Sequence, residues 1–342
     1  MRPHPRSAAL IVAALTAGCL STVALTSASA ANGAAARPVA RAGAALPAHI
    51  LTGYWQDFTN GAKPLKLAAV PKGYNIVAVA FGTATTTPGQ VAFSIDSGLS
   101  SALGGYSAAQ FKADVKTLHS RGQKVILSVG GADGTISVSD SASAATFASS
   151  VFSLMKTWGF NGVDIDLENG VNPQFMASAL QQLRAKDGSG LIITMAPQTV
   201  DVQSAGSDYL ALALKIKKIL TVMNTQYYNS GTMNGCDGNV YAESTENFLT
   251  ALPCIQMKAG LSPTKVGLGL PASTSGASSG YVSPSVVNAA LDCLAARTHC
   301  GSFTPVRAWP SIRGAMTWSI NWDASNGYQF VNTVAPHLAT LP

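Results

Sequence analysis

Short runs of β-branched or otherwise apolar residues recur at 49–56, 75–82, 124–130, 162–168, 190–197, 221–228, 265–271 and 314–321, eight in all. Several of the intervals between them carry apolar residues every three or four positions, the period of a helix packed on one side. Phe111, Val115 and Leu118 follow a Ser107/Gln110 capping box, and Phe147, Val151, Leu154 and Trp158 form a second stripe that packs its helix inward. Pro173 opens a further helix and Gly260 closes another, whereas the interval before the second run has little helical pattern. Strand and helix alternating through eight runs predict an α/β fold, a single-domain (β/α)8 TIM barrel. Its functional site belongs at the C-terminal ends of the strands.

The fourth run departs from simple core patterning. In Asn161-Gly162-Val163-Asp164-Ile165-Asp166-Leu167-Glu168, three acids alternate with three aliphatic residues. On a strand the acids share one face, with successive side chains roughly 6.5 to 7 Å apart. No Lys or Arg occurs between Lys156 and Arg184 to balance them locally. In dry surroundings full ionisation of such a row is opposed and protons become shared, which suits acid/base chemistry. A solvated strand face and a hard-cation site are the competing readings. Three oxygens could hold calcium or magnesium, although such sites usually draw on a bent loop.

The ends of the chain and its composition narrow the setting. Arg2 and Arg6 precede a mostly apolar stretch from Ala8 to about Leu25 and then Ala28-Ser29-Ala30, the pattern of a secretory signal peptide over residues 1–30. Cleavage there removes Cys19 and predicts a secreted, extracellular protein with no membrane attachment. Residues 31–47, rich in Ala, Pro and Gly, read as a disordered leader, and 48–342 as one domain. The four cysteines left, Cys236, Cys254, Cys293 and Cys300, imply two disulfides. Three pairings are open, of which the sequential one is simplest because each pair brackets a short segment. Zinc is the poorer reading without a Cys-x-x-Cys or a neighbouring His cluster. The formal charge of +6 falls by two with Arg2 and Arg6 of the signal peptide, and charged residues make up only 11% of the chain. That balance does not point to nucleic acid; it suits an uncharged or weakly cationic substrate.

At this point the chain resembles glycoside hydrolase family 18, the chitinase family, across about the whole predicted domain. The fourth run matches the family's Asp-x-x-Asp-x-Asp-x-Glu, with Asn161 at the first Asp and Leu167 in place of the common aromatic. Ser128-Val129-Gly130-Gly131 on the third strand, Gln226-Tyr227-Tyr228-Asn229 on the sixth and Gly314-Ala315-Met316-Thr317-Trp318-Ser319 on the eighth match three further motifs in order. The resemblance implies that Glu168 is the general acid, later the base toward water, and that the substrate's own N-acetyl group is the nucleophile. Asp166 would orient the acetamido N–H, Asp164 would share a proton with Asp166, and Tyr228 would hold the acetyl carbonyl. Tyr54 is grouped with the substrate-binding residues while lying, with Ser128, beneath Asp164. Trp318 would floor the subsite of the distorted sugar, and Phe81, Gln198, Gln226 and Asn229 would line the groove. Cis peptides at Ala80-Phe81 and Trp318-Ser319 are implied as well.

The resemblance implies no cofactor and no metal. Its substrate is chitin or an N-acetylglucosamine oligosaccharide, handled by a monomer. Members with deep clefts carry an α+β insertion between strands seven and eight. The interval from Thr274 to Arg313 is too short for it, which predicts an open groove and endo-type cleavage. An endo-β-N-acetylglucosaminidase acting on N-glycans and a non-catalytic chitin-binding lectin are the alternatives. The lectin reading is disfavoured because Glu168 is present.

Overall fold

The computed structural model describes residues 45–342. The signal peptide predicted over 1–30, and all but the last residues of the 31–47 leader, lie outside the described residues. Eight parallel strands form the barrel: β1 (Ile50–Gln56), β2 (Ile76–Ala84), β3 (Lys124–Gly130), β4 (Gly162–Asp166), β5 (Ile192–Met195), β6 (Val222–Gln226), β7 (Val266–Pro271) and β8 (Gly314–Trp318). Each pairs with the next, and β1 pairs with both β2 and β8, which closes the sheet on itself. The fold is the single (β/α)8 barrel that the alternation predicted.

Register explains how residues remote in sequence come to one level. Ser128 pairs with Asp164 across β3 and β4, and Asp164 with Thr194 across β4 and β5, so three polar side chains face the interior side by side. The alternate residues Val163 and Ile165 join the large aliphatic layer between strands and helices. A smaller cluster, including Ile50, Ile76, Ile126, Ile192, Val222 and Met316, shares the face of Tyr54 and fills the inside.

Several strand ends move from their expected places. β4 stops at Asp166 rather than 168 because the Leu167 N–H donates to the Tyr209 hydroxyl (2.6 Å) and not to a neighbouring strand. β5, β6 and β8 are likewise shorter than the apolar runs, while β2 extends to Ala84 by pairing antiparallel with Val91–Ala92. Between β1 and β2 only a short 3-10 turn, Leu67–Ala69, is found, in keeping with the weak helical pattern there. The helix Ser141–Trp158 buries Met155 where the stripe had named Leu154, which is half-buried. The capping box of Ala108–Ser120 forms as predicted.

Both disulfides are sequential, Cys236–Cys254 and Cys293–Cys300. Between β7 and β8 the described residues hold one helix, Pro284–Ala296, and no strand. Peptide bonds Ala80-Phe81 and Trp318-Ser319 are cis. No described helix is long and apolar enough to cross a membrane.

Candidate active site

The alternation in β4 puts Asp164 and Asp166 inside the barrel, 1% and 3% exposed, with Glu168 half-buried in the turn just past the strand. Asn161 anchors the start of this strand through its side-chain oxygen, which accepts the Val125 N–H at 2.9 Å. Asp164 Oδ2 accepts the hydroxyls of Tyr54 (2.6 Å) and Ser128 (2.7 Å), and Oδ1 accepts that of Thr194 (2.5 Å). Burial raises the pKa of Asp164, and the three donors pull it back. Three hydroxyls aimed at one carboxyl favour its ionised form, which is an acceptor only.

Asp166 has a weaker set of donors. Its Oδ1 accepts the Gln226 amide at 2.9 Å, and burial, followed by the charges of Asp164 and Glu168, drives its pKa well upward. A proton shared by the inner pair therefore belongs mainly on Asp166. The same Gln226 nitrogen also reaches Glu168 Oε1 (3.3 Å) and the Ala196 carbonyl (2.8 Å). Gln198 donates to Glu168 Oε2 at 3.4 Å. Glu168 is thus held by amides from β6 and from the segment after β5, and among the described residues it forms no ion pair.

Two glycines let the chain close tightly beside this row. A Cβ on Gly130, at φ +119°, would meet the Asp166 carbonyl, and one on Gly131, at φ +78°, would meet the Phe81 ring. Opening over the acids is a cleft of about 820 Å³ lined by Asp166, Glu168, Gln198, Tyr228, Asn229 and Trp318, among others. Phe81 stacks on Trp318 with ring centroids 5.8 Å apart and planes 17° from parallel. Tyr228 is 8% exposed; burial first, then Asp166, Glu168 and Asp164, push its phenol pKa upward, so the hydroxyl stays a donor. Asn229 lines the cleft too, while its Oδ1 accepts the N–H groups of Ser278 (2.9 Å) and Ser279 (3.2 Å).

Two expected substrate contacts are modified by this geometry. Tyr54, 1% exposed, lies under Asp164 and does not line the cleft, because its hydroxyl is committed to the carboxylate. Gln226 does line the cleft, yet its amide nitrogen bridges the acids. Thr194 and Phe58 were not foreseen. Thr194 is the polar position between Ile192 and Ala196 on the inward face of β5, a signal visible once the face is known. Phe58 lies just beyond the first apolar run and stacks on Phe81 at 6.3 Å. Among the described residues, no three or more His, Cys, Asp or Glu side chains are arranged to hold a metal.

The model of the family "Glycosyl hydrolases family 18" matches residues 50–338. The chain is similar to "Exochitinase 1" of Streptomyces olivaceoviridis, 33% identical over 333 residues, covering 84% of this chain and 55% of that protein. "Chitinase D" of Niallia circulans is 31% identical, covering 85% of this chain and 62% of its own length. The chain therefore spans less than two thirds of these relatives. A solved structure described as a putative Chitinase A from Streptomyces coelicolor is 60% identical and superposes with a TM-score of 0.84, covering 86% of this chain and 99% of that one.

Proposed function

The chain belongs to glycosyl hydrolase family 18, and from that premise we propose that it hydrolyses chitin, the β-1,4-linked polymer of N-acetylglucosamine, by endo-type attack with net retention. The observation that carries this reading is the row Asp164–Asp166–Glu168 at the barrel mouth, with Tyr228 beside it and Trp318 on the cleft wall. The names of its relatives, chitinases of several bacteria, point to the same substrate.

In this mechanism Glu168 protonates the glycosidic oxygen as the bond to C1 breaks. The acetamido carbonyl oxygen of the same sugar attacks C1, with Tyr228 donating to that carbonyl and Asp166 accepting the acetamido N–H. Asp166 thereby stabilises the positive charge spread over the resulting oxazolinium-like ring. It is free to do so when its proton moves to Asp164, whose pKa burial raises against the pull of its three hydroxyl donors. Glu168, now ionised, takes a proton from water, which attacks C1 and restores the original anomeric configuration.

The endo mode is supported by the short β7–β8 interval, which holds a single helix and no strand. Export through the predicted signal at 1–30 fits the two disulfides, which persist in oxidising surroundings. We place the protein outside the cell as a monomer. Product profiling on a soluble chitin polymer tests the reading. Mean chain length should fall early, with oligomers of several sizes. Disaccharide released from one end without that early fall contradicts endo attack, and release of intact glycan from a glycoprotein without oligomer cleavage favours the N-glycan alternative.

A further inference from the structure

The charged residues that line the cleft are all acids: Asp57, Asp96, Asp133, Asp166 and Glu168, with no Lys, Arg or His among them. The last two belong to the catalytic row, but Asp57 has no role in the chemistry above. It follows directly on β1 and is 6% exposed, so more than nine-tenths of it is buried. Its Oδ1 accepts the Asp96 N–H at a long 3.2 Å. No protein donor reaches Oδ2 and no cation pairs with it among the described residues. Asp96 itself is occupied as a helix cap, accepting the Leu99 N–H at 2.8 Å.

The surroundings of Asp57 are built for a sugar. Trp318, Phe81 and Phe58 form a cluster of three mutually close rings, with centroids 5.8, 6.3 and 6.4 Å apart, and Phe58 follows Asp57 in sequence. Aromatic faces of this kind take the apolar side of a pyranose. A buried carboxyl lining the same cleft as these rings, lacking a countercharge, is matched by a ligand that brings one.

Building on the chitinase reading, we propose that the part of the cleft lined by Asp57 is a subsite for a cationic 2-amino sugar, a deacetylated unit of the polymer, whose nitrogen pairs with Asp57. The amine has to lie in this subsite and not over Glu168, because the reacting sugar must supply an acetamido carbonyl. Burial, with the nearby charge of Asp96 adding to it, pushes the Asp57 carboxyl up to about 8 in the empty cleft. Tyr106 is the other titratable group whose electrostatics it shares. A free amine entering the subsite takes the proton from Oδ2, giving ammonium beside carboxylate with no net proton exchange. A sugar that arrives as ammonium releases that proton to water.

Two measurements test the subsite. The first is the ratio of kcat/KM on a half-deacetylated polymer to kcat/KM on a fully acetylated oligomer, for wild type and Asp57→Asn. The ratio should fall about tenfold in the variant. An unchanged ratio, including an equal loss on both substrates, overturns the proposal and makes Asp57 a structural residue. The second needs no variant: wild-type products are sequenced by mass spectrometry, and free amine should be enriched at one fixed position counted from the new reducing end. A random distribution overturns it. Absence of cleavage of the acetylated oligomer by wild type would instead count against the chitinase reading itself.

Discussion

On β3, β5 and β6 the inward face of the barrel changes from aliphatic to polar toward the C-terminal ends of the strands. Ile126 is followed on the same face by Ser128, Ile192 by Thr194, and Val222 by Asn224 and Gln226. Below, the aliphatic side chains exclude water and stabilise the fold by burial. Above, two carboxyls are buried at 1% and 3% exposure against a desolvation cost that raises both pKa values. The base is therefore optimised for stability, while the mouth sets stability aside for a shared proton. Substitutions at the two levels should have opposite signatures.

The largest effect expected is at the base. Ile126→Ala removes a fully buried side chain and should cost about 2 to 5 kcal/mol of stability, read by urea denaturation, while kcat of the folded protein stays close to wild type. A large fall in kcat with full stability would erase the distinction. At the mouth, Asp166→Asn should lower kcat about a hundredfold, or about 2.7 kcal/mol of transition-state stabilisation. Its melting temperature should equal or exceed wild type, since a buried acid has gone.

Thr194→Val tests the connection between levels. It keeps the shape but leaves Asp164 with two hydroxyl donors, and a loss of about 1 to 2 kcal/mol, near tenfold in kcat, is expected. The pH–rate profile should shift as well, because Asp164, with one donor fewer, has a higher pKa and holds the shared proton more firmly. An unaltered profile would mean that Thr194 only fills space.

A further effect, read as a pH dependence of stability, concerns the edge of the cleft. The folded-state pKa of Asp57, about 8, lies above that of an unfolded carboxyl, so the native state holds the extra proton and stability falls as pH rises from about 4 to 8. The slope is at most about 1.4 kcal/mol per pH unit. The stability advantage of Asp57→Asn over wild type should accordingly widen between pH 5 and pH 8 in urea melts. A constant difference would show that Asp57 is ionised or neutral alike in both states.

The acids of β4 were legible in sequence because a period of two needs no knowledge of the partner strands. Eight apolar runs gave the barrel for the same reason. What sequence did not give came from register and from distant elements. Thr194 reaches Asp164 only because β4 and β5 pair in that alignment, and β4 ends at Asp166 only because Tyr209, on the helix Asp208–Ile216, offers its hydroxyl to Leu167. Gln226 could be read as serving either sugar or protein, since an amide suits both; the fold sets its nitrogen between Asp166 and Glu168. Asp57 and Phe58 lie past the last residue of β1, Gln56, where periodicity has stopped carrying information.

The most direct test of the acid row is Glu168→Gln, assayed on a soluble N-acetylglucosamine oligomer beside wild type, with melting temperatures taken on the same samples. Turnover should fall by roughly a hundredfold or more with the melting temperature essentially unchanged. Near-normal turnover in a folded Glu168→Gln protein would contradict Glu168 as the proton donor.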